Sequence, residues 1–236
     1  KTGITDIGMP FLKQMTKLKS LSLENTKITG AGLVFLENMT DMETLQLDKT
    51  RVTDVALHHL ARLTKLEELH LGNTSITGPG LIHLKGMTNL KILYLRGTKL
   101  TEIKRGDLPA LPHLERLDLV NTAITDSGLS EIASMTNLRR LFLDETKVTN
   151  QTLARLAPLS KLEGLYLWDT NITEEGLVHV AKLTRLEKLD LNGPITNTGL
   201  AYLQPLVNLR RLCLIDSEIT DSGLVHLKKL KKLEHL

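Results

Sequence analysis

A leucine pattern that restarts every 24 residues dictates what this chain can become. From Leu18 the sequence runs Leu-x-x-Leu-x-Leu-x-x-Thr-x-Ile-Thr-x-x-Gly-Leu-x-x-Leu-x-x-Leu/Met-Thr-x. It begins again at Met42, Leu66, Leu90, Leu114, Leu138, Leu162, Leu186 and Leu209. Of these nine units eight are 24 residues long and the one from Leu186 is 23. They fill residues 18–232, with a partial repeat over 1–17 and the start of another over 233–236, so a single repeat domain over 1–236 is expected. A period of this length marks an array in which each copy is one supersecondary unit that leans on its neighbours.

Within Leu18-Lys19-Ser20-Leu21-Ser22-Leu23, alternation puts Leu21 and Leu23 on one face of a short strand and Ser20, Ser22 and Glu24 on the other. In Gly32-Leu33-Val34-Phe35-Leu36-Glu37-Asn38-Met39, apolar residues fall every third position, which suits a helical or 3₁₀ turn packed by one stripe. Thr29, Thr53, Thr77, Thr125 and Thr173 precede these turns and are expected to cap their free amides. The acids at Asp54, Asp126, Glu174 and Asp221 follow, where they complement the helix dipole. One strand and one turn cannot bury their apolar faces alone. Stacked copies can, with strands in parallel along one side, turns along the other and leucines between.

These residues resemble leucine-rich repeats over essentially the whole chain, and most of all the threonine-rich, 24-residue class with Gly-Leu-x-x-Leu turns found in many bacterial repeat proteins. The resemblance implies an α/β fold, a curved, right-handed leucine-rich repeat solenoid with a parallel β-sheet on its concave face and short helical turns on its convex face. It also implies that the threonines replacing the ladder asparagine of the commonest type, Thr26, Thr50, Thr74, Thr98, Thr122, Thr146 and Thr170, with Ser217 in the last unit, hydrogen-bond backbone of the adjacent turn.

Two units depart from the pattern. Between Leu100 and Leu108 the Gly-Leu pair gives way to Lys104-Arg105-Gly106-Asp107, with Pro109 and Pro112 following, so no regular helical turn is expected there. In the eighth unit Asn192-Gly193-Pro194-Ile195 is one residue short and loses the ladder threonine, which predicts a tightened corner after the strand.

No phosphate loop, metal-ligand cluster or activated nucleophile is present, so no catalytic residue, metal or cofactor is expected and the chain reads as a non-enzyme. His58, His59, His83, His179 and His226 share a stretch of the helical turns without carboxylate or thiolate partners at ligand spacing, as a solvated convex face would. Thirty Lys and Arg against 27 Asp and Glu leave a formal charge of +3, too small to imply nucleic acid. No apolar stretch suits membrane insertion, and neither a signal peptide nor a disulfide framework is visible, Cys213 being the lone cysteine. Compartment stays open.

Stacking dictates the leucines, so individuality lies at the outward strand positions. Between the second and third leucines these run Ser22, Gln46, His70, Tyr94, Asp118, Phe142, Tyr166, Asp190, Cys213. Two residues later the series is Glu24, Asp48, Gly72, Arg96, Val120, Asp144, Trp168, Asn192, Ile215. Four of the chain's seven aromatics, Tyr94, Phe142, Tyr166 and Trp168, fall here. With Arg96, Arg116, Arg139 and Arg140 as a polar rim, they have the composition of a binding hot spot. The competing reading is that the rings stack across strands and stiffen the sheet. The expectation is a non-catalytic module that binds a protein or peptide on its concave face through Tyr94, Arg96, Arg116, Arg140, Phe142, Tyr166 and Trp168. The alternative is the substrate-recognition arm of a larger enzyme or effector, such as a ubiquitin-ligase adaptor.

Overall fold

The computed structural model describes residues 2–104, 106–108 and 111–236. Arg105 and Pro109 of the irregular fourth turn lie outside the described residues. Among the described residues each repeat contributes one short strand: β1 (Ser20–Ser22), β2 (Thr44–Gln46), β3 (Glu68–His70), β4 (Ile92–Tyr94), β5 (Arg116–Asp118), β6 (Arg140–Phe142), β7 (Gly164–Tyr166), β8 (Lys188–Asn192) and β9 (Arg211–Ile215).

The chain packs as two units, Lys1–Asp118 and Leu119–Leu236. In the first, β1 to β5 pair in parallel, each with the next, in a register of one repeat, so that Leu21, Leu45, Leu69, Leu93 and Leu117 stand in line. In the second, β6 to β9 do the same and align Leu141, Leu165, Leu189 and Leu212. Parallel pairing needs a crossover between strands, and the second half of each repeat, helical in most of them, supplies it. Away from the first and last strands the inward leucines of both units are buried, Leu45, Leu69, Leu93, Leu165 and Leu189 completely, while Leu21 in β1 and Leu214 in β9 are half-buried; this bears out the strand register read from the alternation.

After each strand the backbone turns through one left-handed residue: Asn25, Lys49, Asn73, Gly97, Asn121, Glu145, Asp169, Gly193 and Asp216. The next residue is the ladder threonine. Its hydroxyl donates to the carbonyl three residues back, Thr26 to Leu23 at 2.7 Å and Thr146 to Leu143 at 2.6 Å, with the same bond at Thr50, Thr74, Thr98, Thr122 and Thr170. These bonds close the corner of their own repeat rather than reaching an adjacent one. They satisfy a carbonyl at the point where the strand ends. In the eighth repeat Pro194 stands in the threonine's place, and the Ile195 amide closes a three-residue turn onto the Gly193 carbonyl at 2.7 Å, the expected tightening.

The helical halves are mostly 3₁₀ turns, with short α-helices α1 (Gly30–Leu33), α2 (Asn150–Arg155), α3 (Leu177–Val180) and α4 (Asn197–Tyr202). No helical turn forms among the described residues between β4 and β5, as the loss of Gly-Leu predicted. The threonine caps are corrected in part. Thr29 accepts from the Ala31 amide at 3.2 Å, and Thr149 and Thr196 make the equivalent bond, but Thr53, Thr77 and Thr173 make none. The residue two on from Thr77 is Pro79, which has no amide hydrogen to give, and the Thr173 hydroxyl donates to the Glu175 carboxylate.

The acids that follow also do more than face a dipole. Asp126 takes the Thr149 amide of the next repeat at 2.9 Å and its hydroxyl at 2.7 Å; Asp6 serves Thr29, Asp54 serves Thr77, Asn150 serves Thr173, Glu174 serves Thr196 and Asn197 serves Thr220. This reach accounts for the glycine of Gly-Leu. A Cβ on Gly32 would lie 2.5 Å from an Asp6 oxygen, and one on Gly80, Gly176 or Gly223 would overlap the acid or amide of the preceding repeat in the same way.

Candidate functional site

The seven residues singled out on the strands fall into two clusters, one in each unit. Tyr94, Arg96 and Arg116 belong to the first; Arg140, Phe142, Tyr166 and Trp168 belong to the second.

In the first cluster parallel register sets His70 opposite Tyr94, and their rings stack with centroids 4.2 Å apart. The Arg116 guanidinium lies over the other side of Tyr94, 4.8 Å from the ring centre, a cation–π contact. Glu68 binds His70 Nε2 at 2.8 Å, and Asp48 approaches Nδ1 at 3.4 Å. Burial opposes protonation of this imidazole, but the two carboxylates outweigh it and hold the His70 pKa above the ordinary histidine value. Burial likewise raises the Tyr94 phenol, which stays protonated at neutral pH. Gly72 makes room for the arrangement. A Cβ there would stand 2.5 Å from an Asp48 oxygen and 3.0 Å from Arg96 Cγ, and its amide donates to Asp48 at 3.0 Å. Arg96 is exposed and forms no ion pair among the described residues.

In the second cluster Phe142 and Tyr166 face each other in register and stack almost exactly parallel, centroids 4.2 Å apart at 4°. Tyr166 also leans back along its own strand over Gly164, where a Cβ would meet its Cε2 at 3.1 Å and its hydroxyl oxygen at 3.3 Å. Trp168 is 42% exposed, while its amide is held by Asp144 at 2.9 Å. Arg211 Nε donates to Asp190 at 3.1 Å. Arg139 points elsewhere: it binds Glu163 through two nitrogens, at 2.5 and 3.2 Å.

The rings are therefore less bare than the strand alternation alone suggests. Tyr94, Phe142 and Tyr166 are half-buried by stacking, and Trp168 is the exposed member of the four. Reading aromatics alone missed His70, Glu68, Asp48, Gly164, Lys188, Asp190 and Arg211. His70, Asp48 and Asp190 stood in the aligned outward series without being picked out, and Glu68, Gly164, Lys188 and Arg211 share the strand position before the second leucine, whose alignment across repeats would have brought them together. Among the described residues no three His, Cys, Asp or Glu side chains converge as metal ligands, and no helix is long and apolar enough to cross a membrane.

Comparison with known proteins gives the same architecture. Family models described as leucine rich repeat match residues 14–36 and, in three overlapping copies, 40–100, 64–124 and 88–148. The chain is a leucine-rich repeat protein. No curated protein matches it in sequence at a significant level. Among solved structures it is similar to an internalin C2 from Listeria monocytogenes, at 25% identity and a TM-score of 0.66, over 99% of this chain and 84% of that one. The functional domain of InlJ from the same organism matches at 22% identity and a TM-score of 0.69, over 94% of this chain and 44% of that one. The plant peptide hormone receptor RGFR1, solved in complex with RGF2, matches at 20% and 0.59, over 95% of this chain and 40% of that one. Leucine-rich repeats commonly mediate protein–protein interaction, and generally without catalysis.

Proposed function

We propose that this leucine-rich repeat chain is a non-catalytic module that binds a protein or peptide on the outward face of its strands. The observation that carries the reading is Trp168. An indole 42% exposed on a strand position, beside the stacked Phe142 and Tyr166, gains its full desolvation only when a partner covers it. The stacked rings give that partner a stiff surface, so little side-chain entropy is lost on binding. Tyr94, braced between His70 and Arg116, is a second anchor of the same kind, with Arg96 exposed on the next strand position but one. That a plant peptide hormone receptor, RGFR1, solved in complex with RGF2, has the same fold supports the use of such repeats for peptides.

The test is capture of partners from the source organism by the wild-type chain, by Trp168→Ala and by the helical-side variant His179→Ala. A partner retained by His179→Ala and lost by Trp168→Ala supports the strand face. The reverse pattern moves binding to the helical side and ends this reading.

A further inference from the structure

Side chains on the strand side form columns that run from repeat to repeat. One column, just before the strands, neutralises itself: Lys19 pairs with Glu43 at 2.7 Å and Lys91 with Glu67 at 2.8 Å in the first unit, and Arg139 with Glu163 and Arg210 with Glu234, both at 2.5 Å, in the second. The neighbouring column of the second unit does not. In register across β6 to β9 it holds Arg140, Gly164, Lys188 and Arg211, three cations and no carboxylate. Arg211 is shared with Asp190 of the next column, whereas Arg140 and Lys188 are exposed and form no ion pair among the described residues. Like charges facing each other along a sheet cost stability, and the column one residue away offsets that cost by pairing its cations with carboxylates.

We propose that Arg140 and Lys188 receive the carboxylates of an acidic, extended segment of the partner protein. This rests on the strand face being the binding face and names the chemistry of what it binds. Between the two cations the column carries no third charged side chain. Gly164 has no side chain, and the Tyr166 ring leans over it, giving the stretch of the segment between its two carboxylates an aromatic floor. Two strand spacings separate the cations, about 10 Å, which equals three residues of a polyproline II segment at about 3.1 Å each. The acids on the flank, Asp144 beside the Trp168 amide and Asp190 beside Arg211, oppose carboxylates in the adjoining columns and so confine them to this one.

The probe is a fluorescent dodecapeptide with Glu at every third position in a proline-rich frame, titrated with the full chain beside its Gln and Lys counterparts. The Glu peptide is expected to bind, the Gln and Lys peptides to bind at least about tenfold more weakly, and Arg140→Glu with Lys188→Glu to lose at least about tenfold, in line with close charge pairs at interfaces. The milder pair Arg140→Gln with Lys188→Gln gives the same direction should charge reversal unfold the chain. Lys27→Glu with Lys85→Glu makes an equal change of net charge at exposed positions of the first unit and is expected to bind as wild type. No binding of the Glu peptide, or equal losses in the Arg140/Lys188 and Lys27/Lys85 pairs, overturns the proposal. A natural partner lost by Trp168→Ala but indifferent to the Arg140/Lys188 pair removes the acidic specificity and leaves the strand-face reading standing.

Discussion

Asp126 and Thr152 meet across two successive repeats: one carboxylate oxygen accepts both the Thr152 amide, at 3.0 Å, and its hydroxyl, at 2.6 Å. Thr152 occupies the position that is glycine in most repeats, and it is completely buried. Burial alone would raise the pKa of Asp126, but the hydrogen bonds from Thr152 and Thr149 outweigh it and hold it below the usual carboxylate value. With the folded value depressed, the carboxylate contributes stability above its unfolded pKa, and that contribution is lost as pH falls through the folded value. Thr152→Val is expected to cost about 1–3 kcal/mol, since the buried partner of a charged acceptor is removed. The deficit should narrow in acid denaturation below pH ~3.8, where the carboxylate of the unfolded chain is protonated. A deficit independent of pH would mean that the methyl, not the hydroxyl, matters at 152.

The same contact sets a rule for glycine. Gly80→Ala places a methyl 2.7 Å from Asp54 Cγ and is expected to cost about 1–3 kcal/mol by overpacking. Adding Asp54→Gly should make the double variant less destabilised than the sum of the singles, a coupling visible in a thermodynamic cycle from urea unfolding. The chain already contains this exchange, since Gly30 stands in the acid's place where Ala56 stands in the glycine's. Strict additivity would show that the backbone moves aside instead.

From β6 into the residue after it, core and surface alternate over Leu141, Phe142 and Leu143. Leu143, with no exposed area, should cost about 2–5 kcal/mol on truncation to alanine. Phe142→Ala should cost less, but not nothing, because the parallel stack on Tyr166 contributes roughly 0.5–1.5 kcal/mol beyond its buried area. Equilibrium unfolding of both variants gives the order directly; a costlier Phe142 would invert the inferred division between core and face.

His70 is a readable reporter of the first cluster. Its imidazole should titrate above the ordinary histidine value by NMR, and Glu68→Gln or Asp48→Asn should bring it down. Because the folded value is raised, protonated His70 contributes stability below the unfolded pKa of about 6.5, and that contribution is lost as pH rises through the folded value. A midpoint unmoved by either substitution would show that the carboxylates do not govern it.

Trp168→Ala is expected to leave unfolding stability nearly unchanged and to weaken partner binding by about 2 kcal/mol or more. As the chain's single tryptophan, Trp168 should also shift its emission to the blue when covered. Normal binding by the alanine variant would assign the rings to stiffening the sheet.

Strand register was legible because alternation with a fixed period leaves one consistent assignment: Leu141 and Leu143 inward, Phe142 outward. The corner at Pro194 and the missing turn near Lys104 were legible as breaks in that period. What escaped was any contact whose partners lie 21 to 26 residues apart and meet only through stacking: Asp126 with Thr152, Asp54 with Thr77, Arg211 with Asp190. The half-burial of Tyr166 escaped for a related reason. Alternation tells which side of the strand a ring leaves from, but its lean over Gly164 depends on an absent side chain in its own strand and on the Phe142 ring in the preceding one.

Because most repeats hand an acid or amide forward to their successor while others leave a glycine there, the array has a grammar of joints rather than a set of interchangeable parts. Excising the repeat that carries Gly30 and Gly32 would bring Asp6 against Ala56, whose methyl stands where the joint leaves no room. Excising the following one would bring Gly30 against Gly80, a joint with space to spare and two hydrogen bonds fewer. Insertion, loss and shuffling of repeats in such a lineage would then be filtered at the seams, by which acceptor meets which gap, before any leucine is tested for fit.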